Sequence, residues 1–156
     1  MEKVKQVLRK LRNPAWLCFA WIGVNLGVGL VSTPARFVTP GLGRELAIAV
    51  GREVFTALNQ VELALLVGLL VLIRTSGLAR RYVLFGAALA LIVIIQSAWL
   101  LPELAARSDM IVAGESPPPS AVHSIYATLE IMKLGLLLWL GLAALAPAGN
   151  GASGRG

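Results

Sequence analysis

One cysteine, one histidine and three methionines in 156 residues exclude most of the soft-ligand chemistry a small protein can carry. Cys18 stands alone, so neither an intrachain disulfide nor a two-cysteine redox pair can form, and too few His, Cys and Met side chains remain to hold a transition metal. No metal and no cofactor is expected. Without a second histidine or a nucleophile–base constellation, an enzyme, and an intramembrane one in particular, is the least favoured class. Charge is scarce too: Asp, Glu, Lys and Arg make up 14% of the chain, where a soluble domain carries about 25%. What fills the space is hydrophobic, 57% of all residues, and that composition belongs to a chain that meets lipid.

The apolar residues fall into four stretches, at about Ala15–Thr33, Val54–Ile73, Tyr82–Leu101 and Ser124–Ala146, each near the ~20 residues a helix needs to cross a bilayer. The expected fold is all-α, a four-transmembrane-helix up-down bundle over residues 14–146, with a basic amphipathic leader at 1–13 and a disordered, Ala- and Gly-rich tail at 147–156. In the leader, Val4, Leu8 and Leu11 share one helical face and the basic residues take the rest, which suits a short helix lying on anionic inner-leaflet lipids. Asn13 and Pro14 then supply a cap and a first-turn proline for the first span. That span ends at Ser32-Thr33-Pro34-Ala35 without a small-x-small cleavage site and reads as an uncleaved helix.

A net charge of +6 does not point to nucleic acid, because its distribution is that of an orientation signal. Lys3, Lys5, Arg9, Lys10 and Arg12 precede the first span, and Arg74, Arg80 and Arg81 fill the second connection, whereas Arg36, Arg44, Arg52 and Arg107 lie on the opposite side. The positive-inside rule therefore places both termini in the cytoplasm of a plasma membrane, the inner membrane of a bacterium. Pro34, Pro40, Gly41 and Gly43 break the first connection. In the third, Leu101-Pro102-Glu103-Leu104 continues span three as an extra-membrane helix to about Ala113, before Gly114 and Pro117-Pro118-Pro119. Gly23-x-x-x-Gly27, Ala64-x-x-x-Gly68 and Gly86-x-x-x-Ala90 offer flat faces for packing between helices within the chain.

Glu62, Glu130 and Lys133 lie inside these apolar stretches. An ionisable group at membrane depth costs at least a few kcal/mol unless it is paired or watered, so each is a functional-site hypothesis by default. Polar residues at three- and four-residue steps form one stripe per helix: Trp21, Asn25, Val28 and Ser32; Arg52, Phe55, Asn59, Glu62 and Leu66; Gln96, Trp99, Glu103 and Arg107; His123, Tyr126, Glu130, Lys133 and Leu137. Converging stripes make a polar cavity or ion path of Asn25, Asn59, Glu62, Gln96, Glu130 and Lys133, with an outer mouth at Arg52, Glu103, Arg107 and His123. Structural readings stand beside this one. Glu130 and Lys133 are i,i+3 neighbours able to neutralise each other, Glu62 can serve as a structural acid bonded to Asn59 or Asn25, His123 can be an exposed or capping residue, and the Trp and Tyr rings can be interfacial anchors.

The stretch from Phe37-Val-Thr-Pro-Gly through Val-Gly-Arg-Glu-Val-Phe55, then Trp99-Leu-Leu-Pro102-Glu-Leu-Ala-Ala-Arg107, then His123-Ser-Ile-Tyr126 leading to Glu130 and Lys133, resembles the transmembrane protein 205-like family, a domain of unknown function. The resemblance covers about residues 15–146. It implies a small four-helix membrane protein with an aromatic–proline segment after helix one, a Pro and an Arg closing helix three and a His opening helix four, and it implies no settled activity. Two classes then lead. One is a small oligomeric transporter or channel-like protein for a cation or small solute; the other is a non-catalytic accessory or assembly subunit, a homo-oligomer or the partner of a membrane complex.

Overall fold

The computed structural model describes residues 2, 13–76 and 79–146. The basic leader expected at 1–13, apart from Glu2 and Asn13, and the tail expected at 147–156 lie outside the described residues. Among the described residues the regular structure is all helical. Four helices are each long and apolar enough to cross a membrane: α1 (Ala15–Val38), α2 (Arg44–Thr75), α3 (Arg80–Val112) and α4 (Val122–Leu145).

Helix α1 starts where its sequence predicts. Asn13 Oδ1 accepts from the Ala15 N–H at 2.9 Å, satisfying one orphan donor of the first turn, and Asn13 Nδ2 reaches the Ala144 carbonyl at 3.0 Å, tying the start of α1 to the end of α4. All four helices differ in length from the apolar runs, most clearly the first three. Residues 44–53 are too polar to register as part of a span, yet Glu, Leu, Ala and Arg are good helix formers, so α2 begins well before Val54. Pro34 does not end α1, and Pro102 does not end α3. Each proline stands two residues after the end of a π-helical stretch, Gly27–Ser32 in α1 and Gln96–Leu100 in α3. Proline lacks an N–H and its ring presses on the carbonyl four residues back; a wide turn upstream relieves that crowding and lets the helix continue. The breaks come instead at two glycines with positive φ. Gly41 (φ +80°) lies between α1 and α2, and Gly114 (φ +82°) follows α3, where Glu115 N–H bonds to the Met110 carbonyl at 2.8 Å.

Packing divides the bundle along its length. At one end Leu17, Cys18, Leu69, Leu89, Val93 and Leu140, drawn from all four helices, form a closed apolar core. At the other, Leu100, Val122 and Tyr126 form a smaller cluster with Phe55 and Leu104 against it. The small-residue faces are used unevenly. A Cβ at Gly68 would lie 3.3 Å from Leu17 Cδ2, and one at Gly86 would lie 3.0 Å from Leu70 Cδ2, so these glycines permit α1–α2 and α2–α3 contact. Gly23 and Gly27 meet nothing within 4 Å, which corrects the expectation that they pack within the chain. Trp21 and Asn25 turn inward, and a residue two positions away from either points to the opposite side of the helix.

Candidate functional site

Between the apolar core and the smaller cluster, the ionisable residues of the spans converge on Lys133, which is fully buried. Its ammonium pairs with Glu62 of α2, lies 2.9 Å from Glu130 Oε2 one turn away on α4, and donates to Gln96 Oε1 of α3 at 3.1 Å. Of the three N–H donors of an ammonium, Glu62 and Gln96 take two by hydrogen bonds, and Glu130 adds an ion pair, so groups from three helices surround the charge. Helix α1 adds two donors: Trp21 Nε1 to Glu62 Oε1 at 2.9 Å and Asn25 Nδ2 to Glu130 Oε1 at 2.8 Å. Gln96 Nε2 also donates to Glu130 Oε2 at 3.0 Å. Two carboxylates and one ammonium are thus held by side chains from all four helices. One turn toward the smaller cluster, Asn59 Nδ2 donates to Ser97 Oγ at 2.7 Å, and that hydroxyl donates back to the Val93 carbonyl at 2.7 Å.

Of the six residues of the expected polar path, Asn25, Glu62, Gln96, Glu130 and Lys133 come together in one network, while Asn59 pairs separately with Ser97. None of the six lines the cavity that opens at Phe55 and Tyr126. Two groups are incompletely accommodated: Asn25 Oδ1 is buried without a donor, and the Glu130 side chain keeps 20% of its exposure.

A cavity of about 170 Å³ opens about 10 Å along the helices from Glu62 and Lys133, since Phe55 and Tyr126 in its wall stand seven residues before them at ~1.5 Å rise per residue, and about 6 Å from Glu130, four residues after Tyr126. Phe55 and Tyr126 meet edge to face at 6.0 Å between centroids. Of the expected mouth residues, Arg52 and His123 line this cavity and Glu103 and Arg107 do not. Arg52 pairs with Glu53 at 2.9 Å and with Asp109, Arg107 donates to the Pro118 carbonyl, and Glu103 is exposed. The reason the third stripe fails is local. The π-helical turn at Gln96–Leu100 inserts a residue into the three- and four-residue count, so Leu100 is buried in place of Trp99, which is exposed, and Glu103 is carried outward with it.

Trp21, which the α1 stripe already turns inward, is fully buried, its indole N–H spent on Glu62 rather than at the membrane interface. Sequence reasoning missed two contributors. Ser97 carries no signal beyond its neighbour Gln96. Arg36 extends the α1 stripe four residues past Ser32 and lines the cavity; reading Pro34 as the end of the helix hides that register. Tyr82 likewise is buried, with its hydroxyl donating to the Ala143 carbonyl at 2.9 Å.

No protein-family model matches the chain, no curated protein matches it, and no solved structure matches it.

Proposed function

We propose that this chain is a multi-pass integral membrane protein acting as a non-catalytic accessory or assembly subunit, in which the buried charges lock four helices into one arrangement. The observation that carries this reading is the pairing of the fully buried Lys133 inside the bundle: it donates to Glu62 and Gln96 and forms an ion pair with Glu130, whereas a transport site for a cation needs oxygen ligands free to exchange. Buried polar networks whose members are all engaged fix position and register more than they add stability. The proposal includes the up-down arrangement with both termini cytoplasmic in a bacterial inner membrane, the division at 1–13, 14–146 and 147–156, contact of the basic leader with anionic lipids, and a homo-oligomer or membrane-complex partner. The resemblance to the transmembrane protein 205-like family is part of the same proposal and supplies no activity. Reporter fusions at the C-terminal tail and at Ser116 are expected on opposite sides of the membrane; reporters on the same side would end the four-span topology.

A small transporter or channel-like protein is the second reading, favoured by the unpaired Asn25 Oδ1 and the incompletely covered Glu130 beside it. Glu62→Gln separates the two. The amide keeps the shape and still accepts from Trp21 and Lys133, while Glu130 remains to neutralise the ammonium, so abundance and membrane insertion should match wild type. The accessory reading expects wild-type function as well, in any assay where deleting the gene has an effect. Retained abundance with loss of a pH- or ion-dependent phenotype would instead favour transport.

A further inference from the structure

The cavity beside Phe55 and Tyr126 has a wall of one sign. Arg36, Arg52 and His123 line it, and no Asp or Glu does. Arg52 is already engaged with Glu53 and Asp109. Arg36 is not: its Nε and Nη1 are buried without a hydrogen-bond partner, and it forms no ion pair among the described residues. Buried guanidinium donors left unpaired are rare in native structures, and an unseen anion is a standard cause. The group is also held in place. Its carbon lies 5.3 Å from the Phe37 ring centroid and 5.6 Å from that of Phe55, and it rests so closely on Gly51 that a Cβ there would fall 2.5–2.8 Å from the guanidinium atoms. A side chain longer than hydrogen at position 51 would push the cation off this seat. Neighbouring hydroxyls do not compete as donors, since Thr56 and Ser108 give their protons to the Arg52 and Leu104 carbonyls of their own helices, both at 2.9 Å.

We propose that this cavity binds the oxyanion end of an amphiphilic anion, with Arg36 as the principal donor, His123 beside it and the ligand's apolar part against Phe55, Leu101 and Leu104. Its volume of about 170 Å³ is about that of five or six waters at ~30 Å³ each, room for a carboxylate or phosphate head and a few carbons but not for a whole lipid. The anion can be the head of a membrane lipid with its chains outside, or a soluble short-chain acid. This goes beyond the structural role given to the Lys133 network, which the variants below leave intact.

The full-length protein in a neutral detergent, followed by tryptophan fluorescence on heating, provides the test. Octanoate should raise the melting temperature saturably while octanol and octylamine do not. In parallel, protein reconstituted in phosphatidylcholine nanodiscs should be stabilised when phosphatidylglycerol replaces part of the lipid. A response to octanoate in detergent identifies the soluble source, and a response to phosphatidylglycerol alone identifies the lipid source; either supports the site. Gly51→Ala, which adds a good helix former while displacing Arg36, should weaken the response about tenfold or more, as should Arg36→Gln, the loss expected for a charged hydrogen bond. Should Arg36→Gln fail to fold, Gly51→Ala decides alone. Equal effects of octanoate and octanol together with no preference for phosphatidylglycerol, or a Gly51→Ala protein that responds like wild type, would overturn the proposal.

Discussion

Lys133→Ala is expected to be the most damaging single substitution in the chain. It removes the cation that Glu62 and Glu130 share and leaves two carboxylates facing each other in a buried site. Breaking a buried ion pair by deleting one partner typically costs on the order of 3–5 kcal/mol, because the remaining charge is uncompensated, whereas replacing the whole set by neutral residues of similar shape costs much less. The informative comparison is therefore with the triple variant Glu62→Gln, Glu130→Gln, Lys133→Met, which keeps the volumes and the Trp21, Asn25 and Gln96 hydrogen-bonding groups but carries no charge. Membrane abundance and melting temperature of the purified protein should fall sharply for Lys133→Ala and recover most of the way in the triple variant. The intermediate double variant, Glu130→Gln with Lys133→Met, leaves Glu62 with only the Trp21 indole as a side-chain donor and should lie between them. Equal loss in the single and triple variants would show that the charges have individual roles rather than a shared structural one.

The second large effect is expected at Gly86. A Cβ there would already lie 3.0 Å from Leu70 Cδ2 and 3.2 Å from Ile73 Cδ1, so Gly86→Leu must drive α2 and α3 apart or force the side chains off their preferred rotamers. Overpacking of this kind costs roughly 1–3 kcal/mol, and here it acts on a contact whose attraction is mainly close van der Waals approach. A clear drop in melting temperature is expected, with the Lys133 network further along the same helices loosened in turn. Gly23→Leu is the control, since nothing lies within 4 Å of that position and the monomer should tolerate it. If Gly86→Leu melts with the wild-type protein, the α2–α3 approach is not held at that point. If Gly23→Leu reduces abundance while monomer stability is unchanged, the open face of α1 is covered by another chain in the membrane.

The accessory reading and the anion site make separate demands on the molecule. The first needs the charges to find partners within the bundle, which the contacts of Lys133 and Trp21 supply. The second needs an unpartnered cation beside space, which only Arg36 supplies among the cavity's charged groups. Because Phe55 and Tyr126 stand between the two, a variant that abolishes anion binding at Gly51 should leave the Lys133 network undisturbed, and Glu62→Gln should leave anion binding unchanged.

Much of this was decided by residue order alone. Four apolar runs of spanning length fix the helix number, because in lipid every backbone polar group must be satisfied within the segment and a helix does this without outside help. The three- and four-residue spacing of Asn59, Glu62 and Leu66 on α2, and of Tyr126, Glu130, Lys133 and Leu137 on α4, places them on inward faces in any straight helix that buries its polar stripe. Trp21 and Asn25 follow on α1 by the same arithmetic. What sequence spacing could not supply is the point where the arithmetic changes. The π-helical turns before Pro34 and Pro102 arise from the need to relieve a proline ring inside a continuing helix, and each shifts the face presented beyond it. That shift takes Trp99 and Glu103 out of the interior, and the continuation of α1 past Pro34 brings Arg36 into a cavity wall. Pairing is likewise a tertiary fact: Glu62 has no basic neighbour on its own helix, and only the closing of the bundle brings it Lys133 from α4 across the interior, while only the turn of α1 gives it Trp21. Sequence determines which groups must be hidden from lipid; the packing of four helices decides which of them meet, and which, like Arg36, are left with donors to offer.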